Sequence, residues 1–284
     1  MGEIAKLGIV GAGQMGSGIA QVAAQAGIAV RLLDVSAQRS QHGLSSIEQQ
    51  LSARVAKGKL AADERDAILA RISAGADFAL LSDADFVIEA ATENTEVKRE
   101  VFMAADRAAP RHAVLATNTS AIPITKLAAH TSRPEQVIGM HFMNPAPVMR
   151  LVEIIRGLQT SEETVRAARE LATRLGKDVI GANDMPGFIV NRMLIPFLNE
   201  ACFALQENLG SPEDIDRGAK LGLNHPMGPL ELADLIGLDT VLYMAEVLHR
   251  EFGEDKYRPP TILRNHVAAG WLGRKSGRGF YKYR

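Results

Sequence analysis

The chain carries a single cysteine, Cys202, among 284 residues, so no internal disulfide can form. Cys202 sits in the apolar run Ala201-Cys202-Phe203-Ala204 and reads as a small core residue. The seven histidines lack paired ligand spacing, and no metal centre is expected. Lys and Arg total 32 against 33 Asp and Glu, a formal net charge of -1. That near-balance removes any global electrostatic case for binding nucleic acid or a membrane surface, although a local basic patch stays open. No apolar run approaches the roughly 18 residues of a membrane span. Nor is a secretory leader expected: Glu3 and Lys6 are followed by a strand-like segment, with a glycine cluster where an apolar leader core would lie. A cytoplasmic protein is the expectation, though a matured organelle protein would read the same way. Internal repeats and low-complexity tracts are absent from the sequence.

What is present is an ordinary globular composition, 46% hydrophobic and 23% charged, at a length that suits two domains. Strand-like segments alternate with helix-like ones. Lys6 to Val10, Ala29 to Leu33, Asp85 to Glu89 and Ala113 to Ala116 read as strands. Gln14 to Ala26, Val35 to Lys59, Asp63 to Ile72 and Glu96 to Ala108 read as helices. This alternation predicts an α/β fold, a Rossmann-type doubly wound parallel sheet. A helix at Ser161 to Leu175 and a strand at Lys177 to Ile180 close the first domain, residues 1–183. The segment Asn183-Asp184-Met185-Pro186-Gly187 marks the boundary, with Pro186 suited to the first turn of a helix. Residues 184–284 form a second, all-α domain; Ser211 and Pro212 start one of its helices.

Gly11-Ala12-Gly13-Gln14-Met15-Gly16 matches G-x-G-x-x-G between a strand and a helix, and Asp34 ends the following strand. Gly11 allows the tight turn, Gly13 lets a pyrophosphate approach the backbone, and Gly16 lets helix and strand pack closely. The helix start, Gln14 and Met15 included, offers N–H groups to phosphate. Asp34 accepts from a ribose and repels a 2′-phosphate, which favours NAD over NADP. A glycine-rich turn without ligand is the competing reading.

The stretch Gly139 to Ile154, GMHFMNPAPVMRLVEI, predicts a hairpin added to that sheet, turning through Asn144-Pro145-Ala146-Pro147. A fold-back centred on Pro147 sets His141 opposite Glu153. A carboxylate beside an imidazole fixes its tautomer and favours its charged form, as an acid–base catalyst needs. The same pair can equally be structural. Ser120, His141 and Glu153 together suggest a hydrolase triad, but no G-x-S-x-G surrounds Ser120, and the dinucleotide motif demands a redox role.

With GAGQMGSGIAQVAAQAG, TNTSAI, GMHFMNPAPVMRLVEI, DMPGFIVNR, HPMGPLELAD and GRGFYKY in place, the chain resembles the short-chain L-3-hydroxyacyl-CoA dehydrogenase family, which includes 3-hydroxybutyryl-CoA dehydrogenases. The resemblance covers nearly the whole length. It implies reversible NAD-dependent oxidation of an (S)-3-hydroxyacyl-CoA, in fatty acid or butanoate metabolism. It makes His141 the proton acceptor and Glu153 its support, and gives Ser120 and Asn191 to the substrate oxygen and acyl group. Turn-forming and helix-capping are the bland readings of those last two. The resemblance also sets Glu93, Lys98, Asn118 and Asn144 around the cofactor, with Lys275 as a further contact; from the residues alone Lys98 reads as a surface lysine. Lys57 aligns with a coenzyme A-binding lysine, beside Arg54 and Lys59, where a solvated face is the alternative. Gln50 stands where some relatives carry a second, serine contact. The acyl chain is expected at the domain junction, and the helical domain, rich in Leu232, Leu235, Ile236, Leu238, Val241, Leu242 and Met244, is expected to form a homodimer. Two rival readings remain: a dehydrogenase of a non-CoA hydroxy acid, and a catalytically silent nucleotide-binding protein.

Overall fold

A computed structural model describes residues 4–283. They fall into two compact units, one running to Met185 and the other starting at Pro186. In the first unit, β1 (Lys6–Val10), α1 (Gln14–Gln25), β2 (Ala29–Leu33), α2 (Ala37–Ala56), α3 (Ala62–Leu69) and β3 (Ile72–Gly75) form one wing. The other wing holds β4 (Phe86–Glu89), α4 (Thr95–Ala108), β5 (Val114–Thr117), α5 (Ile124–Ala128), β6 (Val137–Phe142), β7 (Leu151–Arg156), α6 (Glu162–Arg174) and β8 (Asp178–Asn183). The sheet order is β3-β2-β1-β4-β5-β6-β7-β8. All neighbours are parallel except β6 and β7, which pair antiparallel.

The chain builds outward from β1 to β3, then returns to lay β4 against the other side of β1. Strand order therefore reverses between β1 and β4, and the carboxyl ends of those strands flank the crevice where open parallel sheets take ligands. The strands are buried on both faces: Leu7, Ile9, Val30, Leu32, Phe86, Ile88 and Val114 are covered on one, and Val10, Leu33, Val87 and Leu115 on the other, as sheets sandwiched by crossover helices require. α2 packs through Gly43, Ile47 and Leu51 and turns Gln50, Arg54 and Lys57 to solvent. Ser161 caps α6, accepting from the Thr164 amide.

The helical unit contains α7 (Val190–Gln206), α8 (Pro212–Gly222), α9 (Pro229–Ile236), α10 (Leu238–Phe252) and α11 (Thr261–Ala268). Ser211 caps α8 with Pro212 at its first position, as the sequence suggests. Two buried aspartates close the unit. Asp216 accepts from the Leu230 and Glu231 amides and the Tyr281 hydroxyl; Asp234 accepts from the Phe280 and Tyr281 amides and the Tyr283 hydroxyl.

Three expectations need correction. Ile72 does not end a helix; it begins the edge strand β3, a four-residue segment, Ile-Ser-Ala-Gly, too short and polar to show alternation. The helix after the boundary begins at Val190 and not at Pro186, because Gly187 and Phe188 both hold positive φ, 76° and 49°, which a right-handed helix cannot include. Of the apolar residues expected to be surplus in the helical unit, Leu238, Val241 and Met244 are already buried. Leu232, Ile236 and Leu242 are half-buried and Leu235 is exposed, whereas the other exposed large apolar residues of the unit, Met193, Leu209, Leu221, Leu223 and Tyr243, lie outside that expectation.

Candidate active site

The glycine loop joins β1 to α1 under tight constraints. Gly11 has φ +109°, and a Cβ there would lie 2.5 Å from the Ala90 carbonyl oxygen at the end of β4. A Cβ on Gly16 would lie 1.7 Å from the Gly11 carbonyl oxygen. Gly13 differs: a Cβ there meets nothing within 4 Å. Helix α1 begins directly after Gly13 with no side-chain cap. Uncapped N–H groups at Gln14 and Met15, a positive dipole end and open space at Gly13 fit a pyrophosphate. Asp34, just past β2, accepts from the Ala12 amide at 2.7 Å and the Val35 amide at 2.8 Å. It thus braces the glycine loop, while a carboxylate with about four acceptor sites retains capacity for a ribose hydroxyl.

At the far side of the switch point, the hairpin forms with His141 opposite Glu153 in the β6–β7 register. His141 Nδ1 lies 2.7 Å from Glu153 Oε2. Glu153 is fully buried and His141 is 5% exposed. A carboxylate accepts here, so Nδ1 carries a proton, and in the neutral ring that makes Nε2 the acceptor. Ser120 Oγ stands 3.1 Å from that Nε2. The three side chains thus form one chain, Ser120–His141–Glu153.

The geometry also removes the hydrolase reading. An acyl-transfer elbow needs the amide after its serine free for an oxyanion. Here the Ser120 and Ala121 amides both donate to Glu93 Oε1, at 2.9 and 3.1 Å. A carboxylate occupies the place where an oxyanion would be held.

Glu93 also accepts from the Thr119 hydroxyl at 2.5 Å, so one carboxylate fixes the whole Thr119–Ala121 turn. Asn118 ties that turn to β6, its Oδ1 accepting from the Phe142 amide at 2.8 Å. Asn144 lies exposed in the hairpin turn. Lys177 anchors the turn, donating from Nζ to the carbonyl oxygens of Ala146 and Met149. Burial holds the Lys177 ammonium below the usual lysine range. The turn also leans on α1, where a Cβ at Gly18 would come within 3.0 Å of Pro147.

The surface reading of Lys98 is wrong. Lys98 is 1% exposed and donates to both oxygens of Glu89, at 2.7 and 2.9 Å. The signal was available: Lys98, Phe102 and Ala105 follow i, i+4, i+7 spacing on the buried stripe of α4. Glu89 has no role in the sequence reading, and Thr117 and Thr119 enter it only as part of the segment TNTSAI. A glutamate ending the fully buried strand Phe-Val-Ile-Glu calls for a buried partner, and that was the clue.

The remaining candidates lie elsewhere. Gln50, Arg54 and Lys57 share one exposed face of α2 and its end, with Lys59 exposed nearby. Asn191 is the second residue of α7, and Lys275 pairs with Asp239 at 2.6 Å; both belong to the helical unit. Among the described residues, no group of three or more His, Cys, Asp or Glu could hold a metal ion.

Both units match one known family in sequence and in fold. The 3-hydroxyacyl-CoA dehydrogenase NAD binding domain model matches residues 6–185, and the C-terminal domain model of that family matches residues 187–283. A probable 3-hydroxybutyryl-CoA dehydrogenase of Bacillus subtilis is 53% identical over 281 residues, 99% of this chain and 98% of its own length. The 3-hydroxybutyryl-CoA dehydrogenase of Bradyrhizobium diazoefficiens is 50% identical over 99% of this chain and 96% of its own. The crystal structure of (S)-3-hydroxybutyryl-CoA dehydrogenase from Ralstonia eutropha superposes with a TM-score of 0.95 at 50% identity, covering 99% of this chain and all of that one.

Proposed function

The chain belongs to the 3-hydroxyacyl-CoA dehydrogenase family, and from that premise we propose how its own residues carry the NAD-dependent, reversible oxidation of a 3-hydroxyacyl-CoA to the 3-oxoacyl-CoA. The observation that carries the reading is the Ser120–His141–Glu153 chain, in which Glu153 faces Nδ1 and Ser120 faces Nε2.

NAD, when bound, supplies the hydride acceptor. Gly11, Gly13, Gly16 and the start of α1 hold its pyrophosphate, and Asp34 its ribose. His141 Nε2 takes the proton of the 3-hydroxyl as the hydride leaves the same carbon. In the reverse direction the imidazolium donates to the ketone oxygen. Glu153 keeps Nδ1 protonated and offsets the charge that His141 gains. Ser120 holds the reacting oxygen beside Nε2. Asn191 takes the acyl carbonyl, while Glu93, Lys98, Asn118, Asn144 and Lys275 support the cofactor site. Lys57, with Arg54 and Gln50, receives the coenzyme A phosphates. The relatives named above support 3-hydroxybutyryl-CoA, in the S configuration, as the substrate. We place the enzyme in the cytoplasm as a homodimer built on the helical unit, a reading that the exposed Met193, Leu221, Leu223, Leu235 and Tyr243 support.

The test is reduction of acetoacetyl-CoA with NADH, followed by loss of NADH absorbance. Turnover is expected for the wild type. His141→Gln should lower kcat by at least about 100-fold, the scale of general acid–base catalysis, while NADH affinity by titration calorimetry stays unchanged. An inactive wild type, or equal loss of turnover and affinity in the variant, overturns the reading.

A further inference from the structure

The turn between β6 and β7 is held from two sides. Its own backbone bonds stay local, with the Val148 and Met149 amides both donating to the Pro145 carbonyl oxygen at 3.0 Å. Of residues 144–150, Ala146 alone is buried. On one side stands α1: a Cβ at Gly18 would lie 3.0 Å from Pro147 Cδ and 3.2 Å from Ala146 Cβ. On the other stands Lys177, whose Nζ donates to the Ala146 and Met149 carbonyl oxygens. Short-range structure delivers that lysine. Gly176 ends α6 at φ +71°, and the Lys177 amide closes the helix on the Ala172 carbonyl oxygen at 3.0 Å. The β7–β8 register then pairs Leu151 with Asp178, which sets Lys177 beside the end of the turn.

Lys177 is 8% exposed and makes no ion pair among the described residues. A buried ammonium without a carboxylate beside it opposes folding, so the stability of the turn does not by itself account for it. Its compact head, with three N–H donors, bridges two carbonyls three residues apart, which neither an apolar nor an acidic side chain can do. We propose that Lys177 is a positioning residue for Asn144: it holds the hairpin turn against α1 and thereby fixes Asn144 relative to the glycine loop at the head of that helix. One helix thus carries both the glycine loop and the surface on which the turn rests. The β6–β7 ladder pairs His141 with Glu153 without help from Lys177. Loosening the turn therefore leaves the acid–base pair and the glycine loop in place and displaces Asn144. The inference rests on the reading of Asn144 as a support of the cofactor site.

The experiment uses the full-length enzyme with Lys177→Met, Asn144→Ala, the double variant Lys177→Met/Asn144→Ala, and Gly18→Ala. Hydride transfer is read in single turnovers by stopped flow, with NADH mixed against excess enzyme and acetoacetyl-CoA. Lys177→Met should slow this step about tenfold, part of the roughly 100-fold that an ångström of misplacement costs, with NADH affinity by calorimetry within about threefold of wild type. The double variant should be no slower than Asn144→Ala, because both substitutions remove one effect. Without ligands, hydrogen exchange should show the Val148 and Met149 amides exchanging faster in Lys177→Met. Gly18→Ala guards against a failure to fold: alanine favours the helix, while its Cβ crowds Pro147 and Ala146, so its hydride step should slow by a smaller factor. A folded Lys177→Met enzyme with wild-type hydride transfer overturns the proposal, even at a lower Tm. So does a double variant whose loss is the product of the two single losses. Where Lys177→Met does not fold, an undiminished rate in Gly18→Ala overturns it. Asn144→Ala separates the two readings: at the wild-type rate it sinks the cofactor role of Asn144, whereas a slow Asn144→Ala beside an unaffected Lys177→Met sinks only the positioning lysine.

Discussion

Replacing Glu153 by glutamine removes one buried charge from the hairpin and keeps the shape of the side chain. Glu153 is fully covered and lies 2.7 Å from His141 Nδ1, so solvent screens none of the interaction. Two outcomes bound the effect. With the amide oxygen toward Nδ1, the tautomer survives and only the charge is lost. A charge-assisted bond contributes about 1.5–3 kcal/mol against roughly 0.5–1.5 for a neutral one, so the cost is about 1–2 kcal/mol. That corresponds to roughly tenfold in kcat. With the amide nitrogen toward Nδ1, the proton is forced onto Nε2, which then cannot accept from the substrate. The equivalent acid-to-amide change in a serine protease triad costs about 10⁴-fold. The expected fall in kcat therefore lies between roughly tenfold and 10⁴-fold. The assay is the initial rate of 3-hydroxybutyryl-CoA oxidation by NADH formation, with Tm and NADH affinity measured in parallel. A kcat within about threefold of wild type, in a folded variant that binds NADH normally, refutes the role given to this carboxylate.

Other substitutions separate the fold from the ligand. Gly16→Ala drives a Cβ to 1.7 Å from the Gly11 carbonyl oxygen; it should cost about 3 kcal/mol or more and appear as a large drop in Tm. Gly13→Ala meets nothing within 4 Å, so Tm should stay within about 2 °C, while calorimetry shows NAD affinity reduced roughly tenfold. Lys57→Ala should raise the KM for the acyl-CoA several-fold and weaken its dependence on salt, with NADH affinity constant; an unchanged KM would return this lysine to the solvated surface. Burial pushes the Cys202 thiol up from 9.0 to about 12. The folded state then keeps a proton that the unfolded chain releases, so its contribution to stability is intact below pH 9.0 and declines as pH rises toward 12. Cys202→Ala should flatten that alkaline decline in the denaturant midpoint, and in the native wild type the thiol should resist alkylation at mildly alkaline pH.

Several features were legible because short-range geometry alone dictates them. A two-residue side-chain period and a proline-rich turn at Pro147 force His141 opposite Glu153, with no reference to the rest of the chain. The glycine motif shows its purpose through spacing: at Gly11 and Gly16 only a backbone without Cβ fits beside Ala90 or the Gly11 carbonyl, and Gly13 between them leaves open space. The caps at Ser161 and Ser211 are equally local, each a hydroxyl three residues before the amide it accepts from.

Other features depend on which elements become neighbours. The edge strand at Ile72 exists because β2 offers it hydrogen bonds, not because Ile-Ser-Ala-Gly favours extension. Lys98 looks like a surface lysine until the return of the chain to β4 brings Glu89 beneath α4. The contact between Ser120 and His141 joins the turn after β5 to β6, and nothing in either segment specifies the 3.1 Å between them. Periodicity, turns and caps are interactions within a few residues, and a sequence displays them directly. Partners for buried charges are chosen by the order in which strands stack, which becomes visible only once the chain has folded.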